Sequence, residues 1–249
     1  LFWGFANEIT RSTEAKRFYT LFGIGGQSAL ILSGVFITWA ATIDLPKEIA
    51  TQVSLNYMMT IVVLLGFVIM ATYYWMNRNV LTDKRFYDFG ASKKKKSKPK
   101  LNLLEGFSYL VKSKHVLCIA VLVIAYGVGI NLVEVTWKNQ LKLQYPNTNE
   151  YAAFMGRFSQ VVGVITFSLY FVGGYIIRRF GWLTGALATP VMLLSTGVAF
   201  FIFVIYNDSF KGLVTMLGTT PLMLAVGMGA AQNIVSKSTK YSLFDPTKE

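Results

Sequence analysis

Gly127, Asn131, Glu134 and Lys138 recur at intervals of four, three and four residues in the stretch YGVGINLVEVTWKNQ, residues 126–140. On a helix, where each residue turns the chain by about 100°, they fall within a stripe roughly 60° wide. A carboxylate and an ammonium sharing one face suit ion pairing, proton carriage or the handling of a charged solute. Glu134 is the informative member, because it closes an otherwise apolar run that starts near Val116. A lipid-facing carboxylate is costly, so the stripe is expected to face protein or a water-filled cavity. The plainer reading is that Glu134, two residues from the end of its run, reaches the interface and anchors the helix there.

A second ionisable group, Arg157, lies inside the next apolar run, about six residues and thus near 9 Å from its outer end. That depth brings it level with Glu134, and a guanidinium fork suits either a carboxylate or a phosphate. Gln160, Ser168 and Tyr175 fall within about 80° of Arg157 on the helical wheel, so this helix also carries a polar stripe. A fixed Glu134 to Arg157 bridge and a substrate contact are both compatible with this spacing, at different stages of a transport cycle. Near the chain's end, Lys237, Lys240 and Lys248 are placed to attract phosphates, although ordinary flanking charge explains them equally well.

Other chemistries find no support. The stretch FGIGGQS lacks the Lys of a phosphate-binding loop and KSTK lacks its glycine frame. One His, His115, and one Cys, Cys118, are too few for a zinc site and exclude a disulfide framework. Both read as filler near a helix start. With no nucleophile motif, metal cluster or deep carboxylate pair, no enzyme and no cofactor is expected.

The elements that must position these residues follow from composition. Hydrophobic residues make up 53% of the 249 and charged residues 14%, more apolar surface than one water-soluble core can hide. Apolar runs of about 20 residues, the length of helix that crosses a bilayer, occur at 21–41, 53–76, 116–136, 151–177, 183–206 and 213–235, after a partial one at 1–7. Strict alternation is missing, so the expected fold is all-α, a polytopic bundle of about six full transmembrane helices. Pro221 and the small-residue run GMGAA at 227–231 suggest a kink in the last of them and a close approach to a neighbour.

Nineteen of the 24 Lys and Arg residues fall in 8–20, 77–115, 178–182 and 236–249. The alternate loops hold only Lys47, Lys138, Lys142 and Lys211, and Arg157 lies within a span. The basic side is therefore cytoplasmic or its equivalent, with 137–150 opposite. A net charge of +12 prompts the thought of nucleic acid, but these charges sit between spans and not on one soluble face, so nucleic acid is not an expected partner. The long insertion at 77–115 carries KKKK at 93–96 and an amphipathic piece at 101–110. It reads as a basic cytoplasmic linker touching anionic lipid headgroups, dividing the end of an N-terminal helical half, 1–76, from part of a C-terminal half, 116–249. Opening in LFWGFAN without Met and stopping in FDPTKE, the chain reads as a piece of a longer protein. Two related halves with a site between them suit a transporter.

The segment GGYIIRRFGW, 173–182, resembles the glycine and basic loop between helices of major-facilitator transporters. LFWGFANEIT, EAKRFYTLFGIGGQSALILSG, INLVEVTWKNQLK and STKYSLFDPTKE, in order along nearly the whole chain, are together similar to the nucleotide transporter family, the ATP/ADP translocases of obligate intracellular bacteria and plastids. That resemblance implies a major-facilitator-like architecture and exchange of ATP for ADP and phosphate across a membrane. The membrane would be that of an intracellular bacterium or, alternatively, the plastid inner envelope. It also places Glu134 on the acidic position of the family's NLVEVTWK motif, which matters for transport. The residues expected at a substrate-binding or gating site are Glu134, Arg157, Asn131, Lys138, Gln160 and Lys240. A proton-coupled nucleotide or other solute symporter, with Glu134 as the protonation site, is the alternative. A membrane scaffold with fixed ion pairs is the third reading.

Overall fold

A computed structural model of the chain describes residues 5–6, 12–82, 108–109 and 111–244. Long apolar sequence becomes helix because backbone groups removed from water must bond within their own segment. Helices α1 (Ser12–Ala41), α2 (Lys47–Trp75), α3 (Lys114–Gln144), α4 (Thr148–Phe180) and α5 (Trp182–Ile205) follow one another. A π-helical turn, Met76–Val80, extends α2. Polar turn residues punctuate the series: the Asn147 side chain accepts the Asn149 N–H at 2.8 Å and opens α4, and Gly181, at φ 88°, separates α4 from α5.

Among the described residues five helices are long and apolar enough to cross a membrane: Leu21–Ala41, Ile49–Val80, Val116–Gln144, Thr148–Gly173 and Leu183–Ile205. The sixth expected span, 213–235, is corrected by the structure. There the chain forms a short helix α6, Lys211–Met216, turns at Gly218 with φ 62°, and restarts as α7, Pro221–Thr239. Proline lacks an N–H and has a fixed φ, so it suits the first turn of a helix better than its middle. Pro221 accordingly begins α7 instead of kinking it, and the Thr220 hydroxyl accepts the Met223 N–H at 3.1 Å. A π-turn, Lys240–Phe244, prolongs α7. The basic linker and its amphipathic piece fall mostly outside the described residues.

The core lies among α3, α4, α5 and α7, where Val133, Trp137, Leu141, Phe158, Val162, Phe200 and Val226 are buried together. Trp137 is its centre. Its ring stands 4.8 Å from that of Phe158, and its Nε1 donates to the Val226 carbonyl at 3.0 Å. Gly229 makes room for it, since a methyl group there would run into the indole. The GMGAA stretch thus meets a neighbour closely, as small residues at helix interfaces do.

The most extensive helix pairing is a second seam, between α1 and α4. A methyl group on Gly34 would stand 2.6 Å from the Gly156 carbonyl oxygen, and one on Gly156 would stand 2.8 Å from the Thr38 nitrogen. The two backbones touch. By contrast α2 presents exposed apolar side chains along its length, among them Val62, Leu65, Phe67 and Ile69.

Candidate functional site

Glu134 lies on α3 one turn before Trp137, so the indole that locks α3 to α7 also fixes where the carboxylate stands. One of its oxygens is 2.8 Å from the Lys138 ammonium, one turn along the same helix. The other is 3.4 Å from the ammonium of Lys237, which comes from α7. Trp137 reaches Val226 while Glu134 reaches Lys237: a step forward on α3 is a step back on α7, so the two helices run antiparallel. The long lysine side chain spans the remaining distance. On its way the Lys237 ammonium passes 5.8 Å from the centre of the Phe158 ring on α4, a cation–π contact.

The cluster therefore joins three helices and carries two cations against one anion. Glu134 and Lys237 keep about a quarter of their side-chain surface accessible, 25% and 26%, and Lys138 keeps 45%. That intermediate exposure matters. A fully buried triad would be a fixed strut, whereas groups with open surface are able to exchange partners with an incoming ion.

Of the residues marked from sequence, Glu134 and Lys138 meet here and Arg157 does not. The expected pairing of Arg157 with Glu134 is not present in this conformation: Arg157 is exposed and makes no ion pair among the described residues. The reason is rotational. Its neighbours Gly156 and Phe158 take the faces toward α1 and toward the core, which turns residue 157 outward. Gln160 also points elsewhere, its Nε2 donating to the Thr38 hydroxyl at 3.0 Å across the α1–α4 seam. Asn131 is exposed and donates to the Gly127 carbonyl one turn back at 2.7 Å. Lys240 is half-buried with its ammonium 4.4 Å from the Tyr241 ring centre. Lys248 lies outside the described residues.

The residue that sequence reasoning misplaced is Lys237, assigned to the chain's basic end and not to Glu134. A signal for it exists. Gln232, Asn233, Ser236, Ser238 and Thr239 make the second half of α7 polar, and all five are buried. Ser238 meets the Thr166 hydroxyl of α4 at 2.9 Å, while the Gln232 amide has no hydrogen-bond partner among the described residues. A helix that buries so many hydroxyls and amides turns its polar face into the bundle, and a lysine on that helix has an inward route.

Beside the cluster, Lys138 also borders a pocket of about 420 Å³ between the end of α3 and the start of α4, shared with Asn139, Lys142, Tyr145, Pro146, Thr148 and Tyr151. Cations at a cavity mouth, backed by a carboxylate that holds one of them, are suited to handling an anion.

A family model described as TLC ATP/ADP transporter matches residues 1–249. ADP,ATP carrier protein 1 of Chlamydia muridarum (strain MoPn / Nigg) is 58% identical over 100% of this chain and 48% of its own length. The chloroplastic ADP,ATP carrier protein 1 of Arabidopsis thaliana is 49% identical over 100% of this chain and 39% of its own. ADP,ATP carrier protein 1 of Rickettsia conorii (strain ATCC VR-613 / Malish 7) is 42% identical over 100% of this chain and 50% of its own. The chain thus spans half or less of the length of these relatives. No solved structure matches it. With a full-length family match over the very helices that build the cluster, the chain belongs to the TLC ATP/ADP transporter family.

Proposed function

We infer that this chain is part of a multi-pass membrane antiporter that exchanges ATP for ADP and phosphate by alternating access, in a bundle of major-facilitator-like type. The observation that carries this reading is the Glu134 carboxylate held between the ammonium groups of Lys138 and Lys237, at 2.8 and 3.4 Å, across two helices. A carrier of polyanions needs cations that attract its substrate and yet let go of it. Cations left unopposed in the empty carrier would be costly to hold within a membrane, and a polyanion bound to them would leave slowly. Glu134 answers both needs. It neutralises a lysine while no substrate is present, yields it to a phosphate on arrival, and retakes it on release.

The relatives named as ADP,ATP carriers support the choice of substrate, and they come from intracellular bacteria and from chloroplasts alike, so the membrane is a bacterial one or the plastid envelope. The test uses the full-length carrier reconstituted in vesicles. Labelled ATP uptake that requires internal ADP and ignores a pH gradient is the expected result. Uptake that needs the gradient but no internal nucleotide would move the protein to proton symport, with Glu134 as the proton carrier.

A further inference from the structure

We propose that the pocket lined by Lys138, Lys142, Tyr145 and Tyr151 is a docking subsite, on the non-cytoplasmic side, for the phosphate groups of the incoming nucleotide. This rests on the exchange reading above and adds a place where the substrate is first held. The first argument is charge placement. Only Lys47, Lys138, Lys142 and Lys211 lie in the loops on the side where positive residues are scarce, yet two of these four border one pocket. Lys211 is already engaged, 2.9 Å from Asp208 on the surface. Lys142 makes no ion pair among the described residues, so its charge is available to a ligand.

The second argument is shape. A volume of about 420 Å³ lies within the range of small-molecule sites, roughly 300–1,000 Å³. Tyr145 and Tyr151 give the wall flat apolar faces against which a planar base can lie, and Tyr145 is steadied by Phe154 at 5.4 Å between ring centres. A further link gives the pocket a consequence. Lys138 belongs both to the pocket and to Glu134, so a phosphate that draws Lys138 away leaves Glu134 with Lys237 alone. Occupancy at the mouth is thereby communicated to the contact between α3 and α7.

The experiment is labelled ATP uptake by the full-length carrier in vesicles, comparing wild type with Lys142→Gln, Lys142→Arg and Lys211→Gln. The half-saturating outside concentration should rise roughly tenfold in Lys142→Gln, the loss of about one charge-assisted contact. It should recover in Lys142→Arg and stay at the wild-type value in Lys211→Gln. An unmoved half-saturating concentration in Lys142→Gln overturns the proposal, as does a fall in maximal rate alone. An equal rise in Lys211→Gln also overturns it, since general surface charge would then suffice.

Two more arms separate the sources of phosphate. Competition from outside by pyrophosphate but not by inorganic phosphate supports a site for linked phosphates, and the reverse order overturns it. A Lys142→Gln effect that disappears in vesicles of phosphatidylcholine alone assigns the pocket to anionic headgroups and overturns it. Should the wild-type carrier take up no nucleotide, the exchange reading fails by itself. The pocket is then judged by an impermeant thiol reagent on Thr148→Cys, another lining position, with Lys142 intact and the carrier's native cysteines, Cys118 among them, replaced by Ser: slowing of the reaction by pyrophosphate supports it, and an unchanged rate overturns it.

Discussion

The two principal seams of the bundle solve helix contact in opposite ways. Between α1 and α4 the backbones touch at Gly34, Gly156 and Gly163, the Gln160 side chain donates to Thr38, and no ion pair crosses the seam among the described residues. Between α3 and α7 the contact is a large ring in a small notch, Trp137 against Gly229, with the Glu134 to Lys237 pair beside it. Dispersion contacts and glycine-enabled packing have no alternative partner to switch to, and are lost outright when two surfaces separate. An ion pair with open surface has one in any arriving anion. On the exchange reading proposed above, the first seam stays closed and the second responds to charge.

The largest effect should come from crowding the first seam. In Gly156→Ala the added methyl meets backbone of α1, which cannot rotate away, so the full-length carrier should lose about 2–3 kcal/mol of stability. Its unfolding midpoint in detergent is the measurement, and a midpoint equal to wild type would show that the backbones are further apart than described. Gly229→Ala should cost less, about 1–2 kcal/mol, because it meets a side chain with some freedom to move. If the notch is what matters, Trp137→Leu should restore part of that loss, with a coupling of at least about 0.5 kcal/mol in a double-mutant cycle.

Charge should separate the seams where packing does not. Glu134→Gln leaves Lys138 and Lys237 without their anion, so the maximal exchange rate should fall about tenfold, near 1.4 kcal/mol of barrier. Half-saturating nucleotide should stay equal or drop, because release suffers and binding does not. A rise in half-saturating nucleotide at unchanged maximal rate would contradict the counter-charge role. The smallest effect is expected at Gln160→Met, which removes one hydrogen bond between α1 and α4 and should lower stability by about 0.6 kcal/mol. Exchange kinetics should match wild type, and a change in them would return Gln160 to the substrate path.

Much of this architecture is legible in sequence. Runs such as 53–76 and 183–206 are apolar on every face, and a helix of that kind requires little from its neighbours beyond the absence of water. The stripe containing Glu134 and Lys138 is equally local, since residues four apart on a helix meet whatever surrounds it. Reading the last span failed because hydropathy averages over all faces. In α7 the polar residues are collected on the buried side, and Pro221 suits the start that Thr220 caps. Arg157 shows the same limit in reverse. Its depth along the helix was readable, but its direction was set by Gly156 and Phe158, which dock against different partners.

By itself, then, the sequence determined the all-helical fold, five of the six expected apolar spans and a charged face on α3, because each depends on residues a few positions apart. Its motifs also pointed to the family. Only the tertiary structure decided that Glu134 holds Lys237 instead of Arg157, and that Lys138 stands between that pair and an open pocket. Lys237 lies 103 positions further along the chain. Contacts across such a separation depend on how two helices rotate and cross, and that rotation is settled by the fit of Trp137 against Gly229, a matter of three-dimensional packing that no local pattern encodes.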